Sequence, residues 1–172
     1  MANETGTATC TRCLPGTEAP TPASLTCTVC SAGFHQPDIG GSQCMECAPG
    51  TAAVSGSATC TPCAAGSFTA ATQATTCQRC PPGTYQDGVG QSGCSDCPSG
   101  TSSAITGATN VSVCVPCPAG SSTGGDRAQA ACFPCDIGSF AGPGAGVALC
   151  ELAPLVRSCS QVKSTEHSTQ QK

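Results

Sequence analysis

The chain has 172 residues but few large apolar side chains: leucine, isoleucine, valine and phenylalanine together number 21. Burial of so little apolar surface cannot by itself offset the entropy of ordering the backbone. The 18 cysteines, however, are an even number at a density typical of disulfide scaffolds from oxidising compartments. A net charge of −4 with six lysines and arginines excludes a basic surface for nucleic acid. Apolar runs such as residues 152–156 are too short to span a membrane.

Paired cysteines with the spacing Cys-x-x-Cys recur about every 17 residues along the chain. The pairs begin at Cys10, Cys27, Cys44, Cys60, Cys77, Cys94, Cys114 and Cys132. Such a fixed period predicts eight tandem repeats over residues 10–149. Residues 1–9 match the second half of a truncated repeat, 150–159 form a degenerate terminal unit or cap, and 160–172 are a polar tail.

A glycine stands six residues after the first cysteine of every pair. These turn glycines are Gly16, Gly33, Gly50, Gly66, Gly83, Gly100, Gly120 and Gly138. We expect a backbone position that needs positive φ or a close approach to a neighbour, because glycine allows both without a Cβ clash. Threonine or serine follows seven of the eight, which predicts a turn that enters a short strand.

The predicted fold is small, disulfide-rich and almost without helix, since no segment shows a sustained helical apolar period. The polar second halves of the repeats would return as a second strand or a loop. We therefore expect short β-hairpins and irregular loops, each too small to be stable alone, stacked into an elongated tandem-repeat rod.

Three chemistries compete for the cysteines. Pairs of Cys-x-x-Cys motifs 13 residues apart lie close to the spacing of four-cysteine zinc sites. In zinc knuckles, however, glycine directly follows the second cysteine, whereas here it comes three residues later. Redox catalysis would need a thiol of lowered pKa, usually at a helix N-terminus. Structural disulfides are the preferred interpretation, and no metal or cofactor is predicted.

Two regular disulfide schemes fit the spacing. In the ladder scheme the second cysteine of each pair bonds the first cysteine of the next, which leaves Cys10 and Cys159 unpaired. In the interleaved scheme neighbouring pairs bond first to first and second to second, beginning with Cys10–Cys27 and Cys13–Cys30, and Cys150 closes on Cys159. The ladder pairs are Cys13–Cys27, Cys30–Cys44, Cys47–Cys60, Cys63–Cys77, Cys80–Cys94, Cys97–Cys114, Cys117–Cys132 and Cys135–Cys150.

The segments "CQRCPPGTYQDGVGQSGC", "CMECAPGTAAVSGSATC" and "CSDCPSGTSS" resemble the ephrin-receptor-like cysteine-rich repeat, a relative of tumour-necrosis-factor-receptor and EGF-type modules. The resemblance covers residues 10 to about 150. It implies the ladder scheme, because in those relatives the loop that begins Cys-x-x-Gly closes on the next cysteine. An aromatic residue stands two positions after the turn glycine at Phe68, Tyr85 and Phe140 only.

Nothing in the sequence predicts an enzyme. The carboxylates are scattered, and His35 and His167 have no nucleophile or carboxylate at a motif spacing, so His35 is interpreted as a surface residue. Both asparagines, Asn3 and Asn110, lie in glycosylation sequons. Asn110 falls in the longest repeat, whose extra residues predict an exposed loop that carries a glycan.

Two functions remain open, both extracellular or at the cell surface. The first is a structural protein: a glycosylated rod that self-associates head to tail into a homopolymeric filament or appendage, through a Cys159–Cys10 bond in its covalent form, or acts as a stalk. The second is a receptor or adhesion ectodomain fragment, which predicts a local cluster of exposed apolar or arginine side chains. The candidates for such a contact surface are Phe133, Phe140, Leu149, Leu152, Leu155 and Arg157.

Overall fold

The computed structural model describes residues 12–21, 26–141 and 146–152. In these ranges the chain forms short strands and one 3-10 helix, Val111–Val113. The strands are Thr17–Glu18 (β1), Thr28–Val29 (β2), Phe34–His35 (β3), Met45–Glu46 (β4), Thr51–Ala52 (β5), Thr61–Pro62 (β6), Ser67–Phe68 (β7), Gln78–Arg79 (β8), Thr84–Tyr85 (β9), Ser95–Asp96 (β10), Thr101–Ser102 (β11), Val115–Pro116 (β12), Ser121–Ser122 (β13), Phe133–Pro134 (β14), Ser139–Phe140 (β15) and Glu151–Leu152 (β16). No helix within the described ranges is long and apolar enough to cross a membrane.

Consecutive strands pair into antiparallel two-stranded hairpins, from β1 with β2 to β15 with β16. The first strand of each hairpin directly follows a turn glycine, as the sequence predicted. The second strand is formed by the two residues that follow the first cysteine of the next pair, such as Gln78–Arg79 between Cys77 and Cys80. The polar second half of each repeat is therefore a loop. In the first seven hairpins the Cys-x-x-Cys motif itself carries the returning strand, whereas β16 follows the single Cys150.

Eight disulfides join the hairpins in the pattern of the ladder scheme. They are Cys13–Cys27, Cys30–Cys44, Cys47–Cys60, Cys63–Cys77, Cys80–Cys94, Cys97–Cys114, Cys117–Cys132 and Cys135–Cys150. Their Cα–Cα distances of 5.5 to 5.8 Å suit a disulfide. For these sixteen cysteines the interleaved scheme is wrong. We number the segments closed by these bonds units 1 to 8 in chain order.

The turn glycines adopt positive φ in all eight units, between 78° and 89°. In units 1 to 6 they also lie against the backbone of the second unit along the chain. A Cβ added to Gly83 of unit 5, for example, would overlap the carbonyl oxygen of Ala128 in unit 7. In units 1 to 6 both predicted reasons for glycine therefore apply at once, and each of these turns couples units that are not neighbours in sequence.

A second turn with positive φ, which was not predicted from the sequence, lies later in each of units 2 to 8. Its residues, which we call second-turn residues, are Gly40, Gly56, Gln73, Gly90, Gly107, Ala128 and Gly146. Glycine is absent at two of these seven positions, although Gln73 and Ala128 both have φ of 56°. Each second-turn amide donates a hydrogen bond to the carbonyl of the first cysteine of the preceding unit, as Gly107 does to Cys80 at 2.7 Å.

Backbone hydrogen bonds join each unit to the next in a repeating set. Between units 5 and 6 they run from Gly83 N to Ser103 O at 2.7 Å, from Gln86 N to Ala108 O at 3.0 Å and from Gly107 N to Cys80 O at 2.7 Å. The same three bonds join units 2 and 3, 3 and 4, and 4 and 5. The hairpins are therefore not independent, because backbone hydrogen bonds connect each unit to the next.

The interior is a narrow stripe of disulfides and small or polar side chains. The second cysteine of each pair from Cys13 to Cys117 is buried, and so is the residue three positions after the turn glycine in units 2 to 8. No fully buried side-chain polar atom of the described residues lacks a hydrogen-bond partner. Gln86, for example, donates to Gly93 O at 2.7 Å and accepts from Gly88 N at 3.0 Å. Cross-linking and backbone hydrogen bonds therefore replace a conventional apolar core.

Ala128 offers a test of the second turn. We expect Ala128→Gly to stabilise unit 7 by about 0.5 kcal/mol, because relief of the left-handed strain of about 1–2 kcal/mol exceeds the added entropy of the unfolded chain. Ala130→Gly, at a nearby residue without positive φ, should instead destabilise by a similar amount. Native-state amide exchange in unit 7 measures both changes, and equal signs for the two variants would contradict the interpretation.

Candidate contact surface

Exposed apolar side chains are concentrated in the last three described units. Eight of the 14 large apolar residues that are exposed lie in units 6 to 8 or directly after them. They are Ile105, Val111, Val115, Phe133, Ile137, Phe140, Leu149 and Leu152. Contiguous apolar surface of this kind marks protein contact sites more often than scattered single residues do.

The first groove on this surface lies between units 6 and 7 and has a volume of about 560 Å³. Its apolar walls come from Ile105 and Val113 of unit 6, from β12, and from the loop that precedes Cys132. No charged residue is among those that line it. The 3-10 helix of unit 6, which lies in the longest repeat, contributes Val113 to one wall of the groove.

The second groove lies between units 7 and 8 and has a volume of about 400 Å³. Phe133, Ile137 and Leu152 line it together with the carboxylate of Asp136. Pro134 lines both grooves, so they adjoin and form one surface. We call the residues that line the two grooves the C-terminal contact surface.

The structure brings together part of the predicted contact residues. Phe133 and Leu152 meet in the second groove, whereas Phe140 lies in β15 opposite Glu151 of β16. Leu149 extends along Gly125 in the preceding unit. The other two, Leu155 and Arg157, fall outside the described residues. Ile105, Val115 and Ile137 were not predicted from the sequence, because single aliphatic residues among polar ones carry no periodic signal of the face they occupy.

Asn110 lies where the sequence predicted, on an exposed segment of the longest repeat. It caps the 3-10 helix, and its side-chain oxygen accepts a hydrogen bond from Ser112 N at 2.8 Å. The sequon therefore forms a compact turn at the surface. Asn3, Cys10 and Cys159 lie outside the described residues.

His35 is more enclosed than the sequence suggested. It is half-buried in β3, and its Nδ1 lies 3.0 Å from Cys60 Sγ and 3.1 Å from the carbonyl oxygen of Met45. His35, Cys47 and Cys60 place one possible metal-ligand atom each within 4.8 Å of one another. Cys47 and Cys60 are bonded to each other, so in the oxidised protein neither offers a thiolate.

The comparisons with known proteins concern the middle of the array. Residues 50–84 and 70–114 each match the sequence model of a family described as tyrosine-protein kinase ephrin type A/B receptor-like. No curated protein matches the chain. The matched segments contain the turn glycines of units 3 to 6, and the same hairpins and disulfides continue on both sides of them. Disulfides and modules of this kind indicate an extracellular, receptor-type setting. Residues 50–114 are therefore ephrin-receptor-like cysteine-rich repeats.

Proposed function

We propose that this chain is an extracellular, non-catalytic structural rod that stacks head to tail into a filament or serves as a stalk. The observation that carries the proposal is the repeated set of backbone hydrogen bonds between successive units. A rod or stalk has to keep its length, and each of its joints has to resist bending. Main-chain hydrogen bonds at the joints supply that resistance without a large apolar core.

The turn glycines add a second restraint on bending. Because Gly83 of unit 5 lies against Ala128 of unit 7, rotation at either intervening joint separates or overlaps these backbones. The same contact recurs from Gly16 with Gly56 to Gly100 with Gly146. Coupling over two units makes the array stiffer than a chain in which each unit contacts its neighbour alone.

The turn glycines of units 7 and 8 support the head-to-tail arrangement. Within the described residues, no atom lies within 4 Å of a Cβ added to Gly120 or Gly138. Both keep the positive φ of the other turns. The partner that fits such a turn is the second-turn carbonyl of another unit of the same kind. A second copy that stacks its first units here would repeat the internal contact, and an interface of two different ends builds an open filament.

An assembly assay tests this proposal with a matched pair of variants. Gly120→Asn should abolish concentration-dependent growth of particle mass, because the side chain occupies the turn contact while asparagine tolerates positive φ. Gly90→Asn should leave assembly unchanged, since Gly90 also has positive φ but lies in the middle of the array, where an added Cβ meets Pro62 at an ordinary contact distance of 3.5 Å. Light scattering and electron microscopy of the full chain provide the measurement.

Assembly that is equal in both variants contradicts the turn-mediated filament. Electrophoresis without reductant addresses the covalent form: a Cys159–Cys10 bond gives a ladder of bands that collapses on reduction. A single monomer band without reductant excludes that bond and leaves the noncovalent filament to the scattering assay. Glycans at Asn110 and Asn3 are part of the proposal, and enzymatic deglycosylation would lower the apparent mass.

The C-terminal contact surface favours the alternative, a receptor or adhesion ectodomain fragment that binds a protein ligand. Its first groove is apolar and has no charged residue among those that line it, which suits the hydrophobic centre of a protein interface. The two functions differ in the same experiment. A chain that stays monomeric at all concentrations favours the ligand-binding alternative over the filament.

A further inference from the structure

We propose that reduction of the Cys47–Cys60 disulfide creates a zinc site formed by Cys47, Cys60 and His35. The three ligand atoms already lie within 4.8 Å of one another. Two thiolates and one imidazole are a ligand set that zinc prefers, with the fourth position left to water. The site exists only in the reduced protein, so it is distinct from the structural role of the other disulfides.

The position of His35 follows from the repeat. The residue two positions after a turn glycine packs against the disulfide of the next unit, as Ser102 does with Cys132 Sγ at 3.2 Å and Ser122 with Cys150 Sγ at 3.2 Å. Of the eight residues at this position, histidine occurs only at His35. No other disulfide within the described residues has a third histidine, cysteine or acidic side chain whose ligand atom lies within 4.8 Å of both sulfurs.

The local hydrogen bonds assign the proton on His35. A carbonyl oxygen and a disulfide sulfur accept hydrogen bonds, so Nδ1 donates to Met45 O and Cys60 Sγ in the oxidised protein. When Zn²⁺ binds to the reduced protein it takes the place of the proton on Nδ1, the neutral imidazole then carries its proton on Nε2, and the hydrogen bond to Met45 O is lost. Tetrahedral zinc with these ligands needs separations of about 3.5–3.8 Å between ligand atoms. The sulfurs must therefore move apart and the imidazole must retreat slightly, which side-chain rotation allows.

Reduction by a small thiol such as glutathione proceeds in two exchanges. One thiolate attacks Cys60 Sγ, which is half-buried, breaks the bond to Cys47 and releases the Cys47 thiolate. A second thiolate attacks the mixed disulfide and releases Cys60, so glutathione is oxidised to its disulfide and the protein gains two electrons. Zinc then binds both thiolates, and any thiol protons are released to water.

A glutathione redox buffer with increasing Zn²⁺ tests the proposal on the intact chain. Alkylation and mass spectrometry give the reduced fraction of each disulfide. We expect Zn²⁺ to raise the ratio of reduced to oxidised Cys47–Cys60 about tenfold when its free concentration is tenfold above the Kd, because zinc binds the reduced form alone. The ratio at the other disulfides should not change.

Variants of His35 that carry the residue found at the same position of another unit should fold normally, so they test zinc binding separately from folding. His35→Phe and His35→Ser introduce residues that already occupy this position at Phe68 and Ser102, and both should abolish the zinc effect. Ser102→His should extend the effect to Cys117–Cys132. The proposal is overturned if zinc shifts no disulfide, shifts several disulfides alike, or still shifts Cys47–Cys60 in both His35 variants.

Discussion

Replacement of Gly83 by alanine should destabilise the array by about 2–5 kcal/mol. The left-handed backbone costs an alanine about 1–2 kcal/mol. Its Cβ also overlaps the carbonyl of Ala128, and relief of such overpacking costs about 1–3 kcal/mol more. Because this carbonyl belongs to unit 7, protection of backbone amides should fall in units 5 to 7 together. Native-state amide exchange of the monomer provides the measurement.

Gly120→Ala is the matched control for this effect. Gly120 has φ of 80°, against 82° for Gly83, but no described atom lies within 4 Å of an added Cβ. Its substitution should therefore cost the conformational term of about 1–2 kcal/mol alone. Equal losses of stability at the two positions would show that positive φ alone, and not contact with the second unit along the chain, explains why these turns require glycine.

Removal of the Cys80–Cys94 disulfide by a double substitution to alanine should lower the free energy of unfolding by about 3 kcal/mol. This is the entropic stabilisation expected from closing a loop of its size. The destabilisation should extend from unit 5 to both neighbouring units. Unit 5 is joined to unit 4 by Gly90 N, which donates to Cys63 O at 2.7 Å, and to unit 6 by Gly107 N, which donates to Cys80 O. Limited proteolysis without reductant should then cut inside unit 5 and yield two resistant fragments.

The corresponding control removes Cys135–Cys150, the last disulfide within the described residues. Its loss should expose the end of the array to protease and leave units 1 to 6 resistant as one fragment. A single intact fragment from the Cys80–Cys94 variant would contradict the view that each hairpin depends on its own disulfide.

These expectations follow from how the array is stabilised. A two-residue strand pair is unstable alone, and the stripe of buried cysteines offers little apolar surface. Each unit therefore depends on one cross-link and on backbone contacts with two units along the chain. Such an array can vary its exposed side chains widely, and units 6 to 8 use that freedom to present the C-terminal contact surface.

Some features of the contact surface were predictable and others were not. Phe133 and Leu152 stood out because large apolar residues are rare in this chain. The grooves themselves were not predictable, since Ile105 and Ile137 lie in different units and become neighbours of one surface only when the units stack. The environment of His35 was hidden for the same reason, because its contact with Cys60 spans 25 residues of sequence.

By itself, the sequence determined the repeat period, the dependence on disulfides, the near absence of helix and the turn at each glycine. These features depend on local spacing and on backbone conformation, which residue type reveals directly. Only the tertiary structure decided between the two disulfide schemes, because both satisfy the spacing and the choice depends on which Cα atoms approach to 5.5–5.8 Å. It also decided that the returning strand lies within Cys-x-x-Cys in units 1 to 7, that Gln73 and Ala128 replace glycine in the second turn, and that the turns of units 1 to 6 meet a unit two positions away. Those contacts join residues about 40 or more positions apart, and no local pattern encodes them.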